Sequence, residues 1–271
     1  MRYSRIMIAL AGLALTALPG VAADFPNSNG SVNPAQPGTV NYVEGAVFLD
    51  GKPINNRDVG SATLNPGKVL TTSAGKAEIL LTPGIFLRLD SNSAVKMISP
   101  DLANTQVELD QGRAGVEVDQ IFPREMVKIV DNGVTTQMIK PGYYEFDANR
   151  PEAMVFKGRA EVQLDGGRWE AVKDHHKLAL ASGAREELVD FDARPANDGF
   201  YSWSSQRSQY LAESNKQIAG EYTDATGFHP GWYWDPYMRD YTFLGKDPLI
   251  SPFGWGFYPW GGYLAPLEAA H

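Results

Sequence analysis

The sequence predicts an all-β protein: a β-sandwich or β-solenoid-like domain of many short strands, followed by one α-helix and an irregular aromatic tail. Three observations lead there. Between residues 38 and 183, short runs of alternating apolar residues are separated by turn residues about every 8–12 positions, the pattern of a sandwich, barrel or solenoid. Helical periodicity is nearly absent before Pro195. Beyond Phe228, tryptophan, tyrosine and phenylalanine crowd between glycines and prolines.

At the N-terminus, Arg2 and Arg5 precede the apolar run from Ile6 to Leu18, and Val21-Ala22-Ala23 offers small residues for cleavage. This is the pattern of a secretory signal peptide spanning residues 1–23. The run of about 13 residues falls short of the roughly 20 that cross a bilayer. No stable transmembrane segment is therefore expected after cleavage, and the mature chain is expected to be exported, periplasmic or extracellular. Residues 24–37 are polar and rich in Pro, Asn, Ser and Gly, a flexible leader that cannot bury a core face.

Strands follow from Val40. Val40–Val43 and Ala46–Leu49 flank Glu44-Gly45, a bulge or bend, and Asp50-Gly51 signals a tight turn. Ile54 to Leu64 reads as a surface loop leading to a strand at Leu70-Thr71. Ala77–Leu81 and Ile85–Leu89 form a central hairpin around Pro83-Gly84, where Pro presets φ and Gly supplies φ > 0. In its second strand Ile85, Leu87 and Leu89 share one face, while Phe86, Arg88 and Asp90 share the other. A short strand at Ala94–Met97 is expected to break at Ser99-Pro100-Asp101. A second hairpin turns at Asp110-Gln111-Gly112 and a third at Asp131-Asn132-Gly133, and further strands run to Leu180.

Residues 184–220 read as a charged connector and an amphipathic helix capped by Asp198 and stopped at Gly220. Phe200, Trp203, Arg207, Tyr210, Leu211, Ser214 and Ile218 fall at helical spacing on one face. Trp203 and Arg207, four apart, are within cation–π reach. Such a face serves either to dock on the β domain or to bind a partner. The tail, residues 221–271, carries two versions of one theme, Gly231-Trp232-Tyr233-Trp234-Asp235-Pro236 and Gly254 to Gly261. So much Gly and Pro argues against a regular sheet there. The candidate binding residues are Trp232, Trp234, Trp255, Tyr258 and Trp260, either packed on the β domain, stacked on sugar, or anchoring a protein partner.

The order Gly67, Leu70-Thr71, Gly75, Ala77, an apolar strand, Gly84, an apolar strand, then Asp90, Ser93 and Val95 resembles the FecR domain, a β-rich module of the bacterial cell envelope. The resemblance runs roughly from Gly38 to Gly183. The tail resembles the Trp/Gly/Pro-rich tails that follow FecR-like domains in some exported proteins. The family resemblance implies signalling from an outer-membrane transporter to a sigma factor, through a cytoplasmic anti-sigma segment and a membrane helix ahead of this domain. Only five residues precede the apolar run, so an anti-sigma segment is not expected here.

The chemistry that the residues exclude narrows the function. A formal charge of −8 without a basic cluster disfavours nucleic acid. Removing Arg2 and Arg5 leaves 22 basic against 32 acidic residues, or −10. With no cysteine, disulfides, thiolate metal sites and a cysteine nucleophile are absent. His175 and His176 are adjacent and point apart, and His229 precedes a proline, so no metal site or cofactor is expected. Asp90, Asp110, Asp131 and Asp165 sit at turn signals, where Asp bonds locally. No catalytic motif is present, and a non-enzymatic protein is expected. Its partner is expected to be an envelope protein, through a sensing or scaffolding contact, or a cell-wall polysaccharide.

Overall fold

From β1 (Val40–Leu49) the chain turns into β2 (Lys52–Ile54) and, after a loop, enters the long β3 (Val69–Thr82). Then come β4 (Ile85–Leu89), β5 (Ala94–Asp101), β6 (Asn104–Gln111), β7 (Arg113–Val118), β8 (Val127–Asp131), β9 (Val134–Met138) and β10 (Gly142–Asp147). β11 (Glu152–Lys157), β12 (Arg159–Gln163), β13 (Trp169–Lys173), β14 (His176–Ala179) and β15 (Val189–Asp190) complete the series. Helix α1 (Gly199–Glu221) precedes β16 (Gly231–Asp235), β17 (Asp240–Leu244), β18 (Leu249–Ile250) and β19 (Gly256–Phe257). This computed structural model describes residues 35–164, 167–180, 188–192, 199–221 and 228–261. The expected signal peptide, the leader as far as residue 34, Asp165 and the helix cap Asp198 lie outside the described residues.

Strands β1–β15 join one sheet in the order β13-β12-β9-β8-β6-β5-β3-β4-β7-β10-β11-β14-β15, with β1 paired along β3 and β2 along β1. Every pairing in it is antiparallel except β6 with β8. The sheet curls into a half-barrel. Its inward side chains form one apolar cluster drawn from Val40 through Leu180, and β13 at one end meets β11 and β14 near the other. The all-β expectation is met in this form, with one helix after it.

Local chemistry explains the path. Asp50 (φ 51°) and Gly51 (φ 76°), like Asn132 (φ 50°) and Gly133 (φ 77°), take the left-handed pair of a type I′ turn and close tight hairpins. β1 and β3 cross closely where Gly45 faces Gly75, and the ladder slips there between Gly45 and Val47. A Cβ on Gly75 would lie 2.4 Å from the Glu44 carbonyl, and one on Gly45 2.2 Å from the Ala74 carbonyl. Only glycine allows that approach.

Two expectations need correction. Pro100 does not break β5, which runs on to Asp101. Past Lys96 that strand has β6 alone as a neighbour, with a bulge between Met97 and Ser99, so proline's missing N–H costs no ladder bond. The tail also makes regular sheet: β16 pairs with β17 over five residues, and β18 with β19 over two. Its prolines fall outside these strands, with Pro236 in the intervening turn.

The central hairpin carries a second buried face. All five residues of β4 are buried, including Arg88, and so are Glu78, Leu80 and Glu117 on its neighbours and Tyr143 and Glu145 on β10, one strand further. Helix α1 and the β16–β17 hairpin cover this outer face.

Candidate functional site

Four adjacent strands place a row of charges on that covered face. Glu78 of β3 stands directly across from Arg88 of β4. Glu117 of β7 and Glu145 of β10 continue the row, with Gly115 between Arg88 and Glu145 in the register. A Cβ on Gly115 would lie 2.4 Å from Tyr143 Oη, so the glycine keeps room for the phenol. Arg88 Nε donates to Glu78 Oε2 at 2.8 Å, and its Nη2 lies 2.5 Å from Glu117 Oε2. Tyr143 Oη donates to Glu145 Oε1 at 3.0 Å, and Arg113 Nη2 reaches Glu145 Oε2 at 2.5 Å.

Helix α1 complements this row with polar side chains on its buried face. Arg207 Nη2 donates to Glu78 Oε1 (3.1 Å) and to Asp240 Oδ2 at the start of β17 (3.2 Å). Ser208 Oγ donates to Glu117 Oε1 at 2.5 Å, Ser214 Oγ to Asp240 Oδ1 at 3.0 Å, and Ser204 Oγ lies 3.0 Å from Tyr143 Oη. A carboxylate-bearing sheet surface demands donors from whatever covers it, which is why this buried helix face is rich in serine. Trp203 and Tyr210 fall outside the buried set. Arg207 stacks 4.2 Å over Tyr42 of β1 instead of Trp203, which receives Lys76 at 5.8 Å. The expected Trp203–Arg207 pairing is thereby corrected.

The electrostatics follow from burial and neighbours. Burial opposes the charge on Glu78, but Arg207 and Arg88 override it and hold the carboxyl below its ordinary range. Burial, aided by the Glu117 carboxylate, pushes Asp119 well above that range. Burial raises Asp240 to about 6, with Arg207 opposing. Three arginines (Arg88, Arg113, Arg207) thus face five carboxyls, of which Asp119 favours its neutral form.

Two asparagines clamp the tail by reading its backbone. Asn41 of β1 donates through Nδ2 to the Tyr241 carbonyl (2.9 Å) and accepts at Oδ1 from the Tyr241 N–H (2.7 Å). Asn215 of α1 donates to the carbonyls of Phe243 (2.8 Å) and Tyr258 (3.1 Å) and accepts from the Tyr258 N–H (2.5 Å).

The aromatic residues singled out from the sequence do not converge. Trp232 packs edge-on against Phe86 and Phe243 over the sheet. Trp234 packs on Tyr241. Tyr258 and Trp260 join Phe228 and Tyr233 at the far end of α1, around Ile218 and Leu244. Trp255 Nε1 donates to the Ser205 carbonyl (3.0 Å) on the other side of the helix. Sequence reasoning missed the ion network itself. Its signal was a lone charge inside each of three apolar strands, AEILL, IFLRL and GVEV, with Phe86 beside Arg88 on one face.

Outside the network, Asp131 at the end of β8 is wholly buried, and both its carboxylate oxygens lack a hydrogen-bond partner among the described residues. Burial, with Asp147 adding to it, raises its pKa to about 7. The folded protein therefore keeps a proton that the unfolded chain releases near pH 4, so raising the pH from 4 through 7 costs stability. Asp131→Asn is expected to stabilise the protein at pH 8 by about 1–2 kcal/mol, solvent screening included, and to have almost no effect at pH 4. Urea midpoints at the two pH values check this, and an equal change at both would contradict it.

His175 sits in a turn (φ 62°), and His176 Nε2 lies 3.0 Å from Asp190 Oδ1. Among the described residues no group of three or more His, Asp and Glu is placed to hold a metal ion, and no helix is long and apolar enough to cross a membrane.

Two solved structures resemble the chain. Both are crystal structures of proteins from Parabacteroides distasonis assigned as anti-sigma factors. The first is 12% identical with a TM-score of 0.41, covering 51% of this chain and 64% of its own. The second is 10% identical with a TM-score of 0.40, covering 64% of this chain and 95% of its own. The chain thus spans less than two thirds of the first structure's length. No curated protein matches. Residues 67–161, from the turn before β3 into β12, match the family model described as FecR protein. That stretch contains Glu78, Arg88, Glu117 and Glu145, and it is similar to the FecR domain.

Proposed function

We propose that the protein is a non-catalytic component of the cell envelope, acting by protein–protein contact in sensing or scaffolding. Location in the envelope rests on the signal-peptide pattern of residues 1–23. The observation that carries the contact reading is the fusion of α1 and the β16–β17 hairpin to the domain's charged face through buried ion pairs and amide clamps. The ionisable groups gathered there bond to one another, which is structural work. What the arrangement presents outward is the hairpin tip, with Tyr237 75% exposed. A photo-crosslinking amino acid placed at Tyr237 in cells is expected to yield a discrete protein adduct that the same group at Trp169 does not. Absence of any adduct particular to Tyr237 would sink the reading.

A second reading has its own observation. A groove of about 510 Å³ on the outer side of α1 is lined by Trp203 and Trp255 with Ser202, Ser205, Gln206 and Gln209. Aromatic faces with neutral amides and hydroxyls suit a polysaccharide. Tryptophan fluorescence that responds to cell-wall saccharides in the native protein, and not in Trp255→Ala, supports it. No response discards it.

A further inference from the structure

We infer that a second, smaller pocket beside the hairpin tip receives one apolar side chain of a protein partner, flanked in that partner by a carboxylate. This rests on the protein-contact reading and names the partner's chemistry. The pocket is lined by Asn41, Tyr42, Asn56, Val59, Arg207, Tyr210, Met238, Arg239 and Asp240, and its volume is about 250 Å³. Pockets that enclose a whole small ligand run to roughly 300–1,000 Å³, so this one suits a single anchoring side chain.

The tip around it is built rigid. Asp235 Oδ1 accepts the N–H groups of Tyr237 (2.8 Å) and Met238 (3.2 Å), and the Arg239 N–H donates to the Asp235 carbonyl (2.7 Å). Arg239 is held at φ 58°, a region non-glycine residues seldom occupy. A tip fixed in this way presents Tyr237, Met238 (44% exposed) and, from α1, Tyr210 (41% exposed). Exposed apolar groups on a preorganised loop lose little entropy on binding.

Hydrogen bonding decides the ligand's charge. The carboxylate acceptors of the pocket are already used, both Asp240 oxygens by Ser214 and Arg207, and so is Asn41 Oδ1, by the Tyr241 N–H. The donors are not. Arg207 is buried, and its Nε has no hydrogen-bond partner among the described residues. Arg239 makes no ion pair among them either. Unused donors beside apolar walls call for an acceptor beside an apolar group, which is a hydrophobic residue next to Asp or Glu.

The test uses the full chain and a capped pentapeptide, Asp-Glu-Phe-Asp-Glu, followed by amide chemical shifts. Shifts are expected to cluster at Asn56, Val59, Tyr210, Met238 and Arg239. Replacing the peptide's Phe by Ala, or using the Arg239→Glu or Tyr210→Ala protein, is expected to weaken binding about tenfold. Equal binding of Lys-Arg-Phe-Lys-Arg, or no shift at these residues, overturns the inference. If a protein adduct at Tyr237 persists despite that failure, the contact reading stands and only this partner chemistry falls; loss of both removes both.

Discussion

Arg88→Met is expected to destabilise the protein by about 3–5 kcal/mol, the cost of leaving buried carboxylates without their cation. Arg88 is completely buried and touches both Glu78 and Glu117. Without it, Glu78 keeps Arg207 and Asn41, but among the described residues Glu117 keeps no cation, just the Ser208 hydroxyl and the neighbouring Asp119, whose ionisation it opposes. The damage should therefore centre on Glu117. Adding Glu117→Gln to Arg88→Met removes the stranded charge and is expected to recover more than half of the loss in a urea titration. If the double variant is no more stable than the single one, packing around Arg88 and not charge is what matters.

Arg207→Met is expected to cost about 2–4 kcal/mol, since one hydrogen-bonded cation then goes missing from two carboxylates. Its effect should be directional. Glu78 retains Arg88, whereas among the described residues Asp240 retains only Ser214. Faster hydrogen exchange should appear in α1 and residues 231–244, ahead of the sheet. Asp240 has a pKa near 6 with Arg207 present, and losing the cation moves it further up. The penalty should accordingly be smaller at pH 5, where Asp240 takes a proton, than at pH 8. A pH-independent penalty would show that Asp240 does not feel the guanidinium.

Much of the β domain was legible because it obeys local rules. Pro83-Gly84, Asp50-Gly51 and Asn132-Gly133 specify their turns by backbone conformation alone, and Ala77–Leu89 alternates as a hairpin must. The helix was legible from its spacing, and Phe200, Arg207, Leu211, Ser214 and Ile218 of its expected face are buried, but Trp203 and Tyr210 are not. Apolar periodicity favoured Trp203 and Tyr210, whereas the structure buries Ser204, Ser208 and Asn215. Those serines and that asparagine are buried for what they bond to, and their partners lie 91, 61 or 43 positions away in sequence. Nothing in a local window reports such a partner. The same limit hid the tail's sheets. Composition flagged its prolines, but only the register shows that Pro236 stands in the turn and leaves both strands clear.

The account depends on α1 being locked to the β domain through the sheet's buried charges. A double-mutant cycle of Glu78→Gln and Arg207→Met, read by equilibrium unfolding, tests that contact directly. A coupling of at least about 1.5 kcal/mol is predicted for side chains that share a buried ion pair. Additive effects, within about 0.3–0.5 kcal/mol, would mean the helix does not meet Glu78 and would contradict the account.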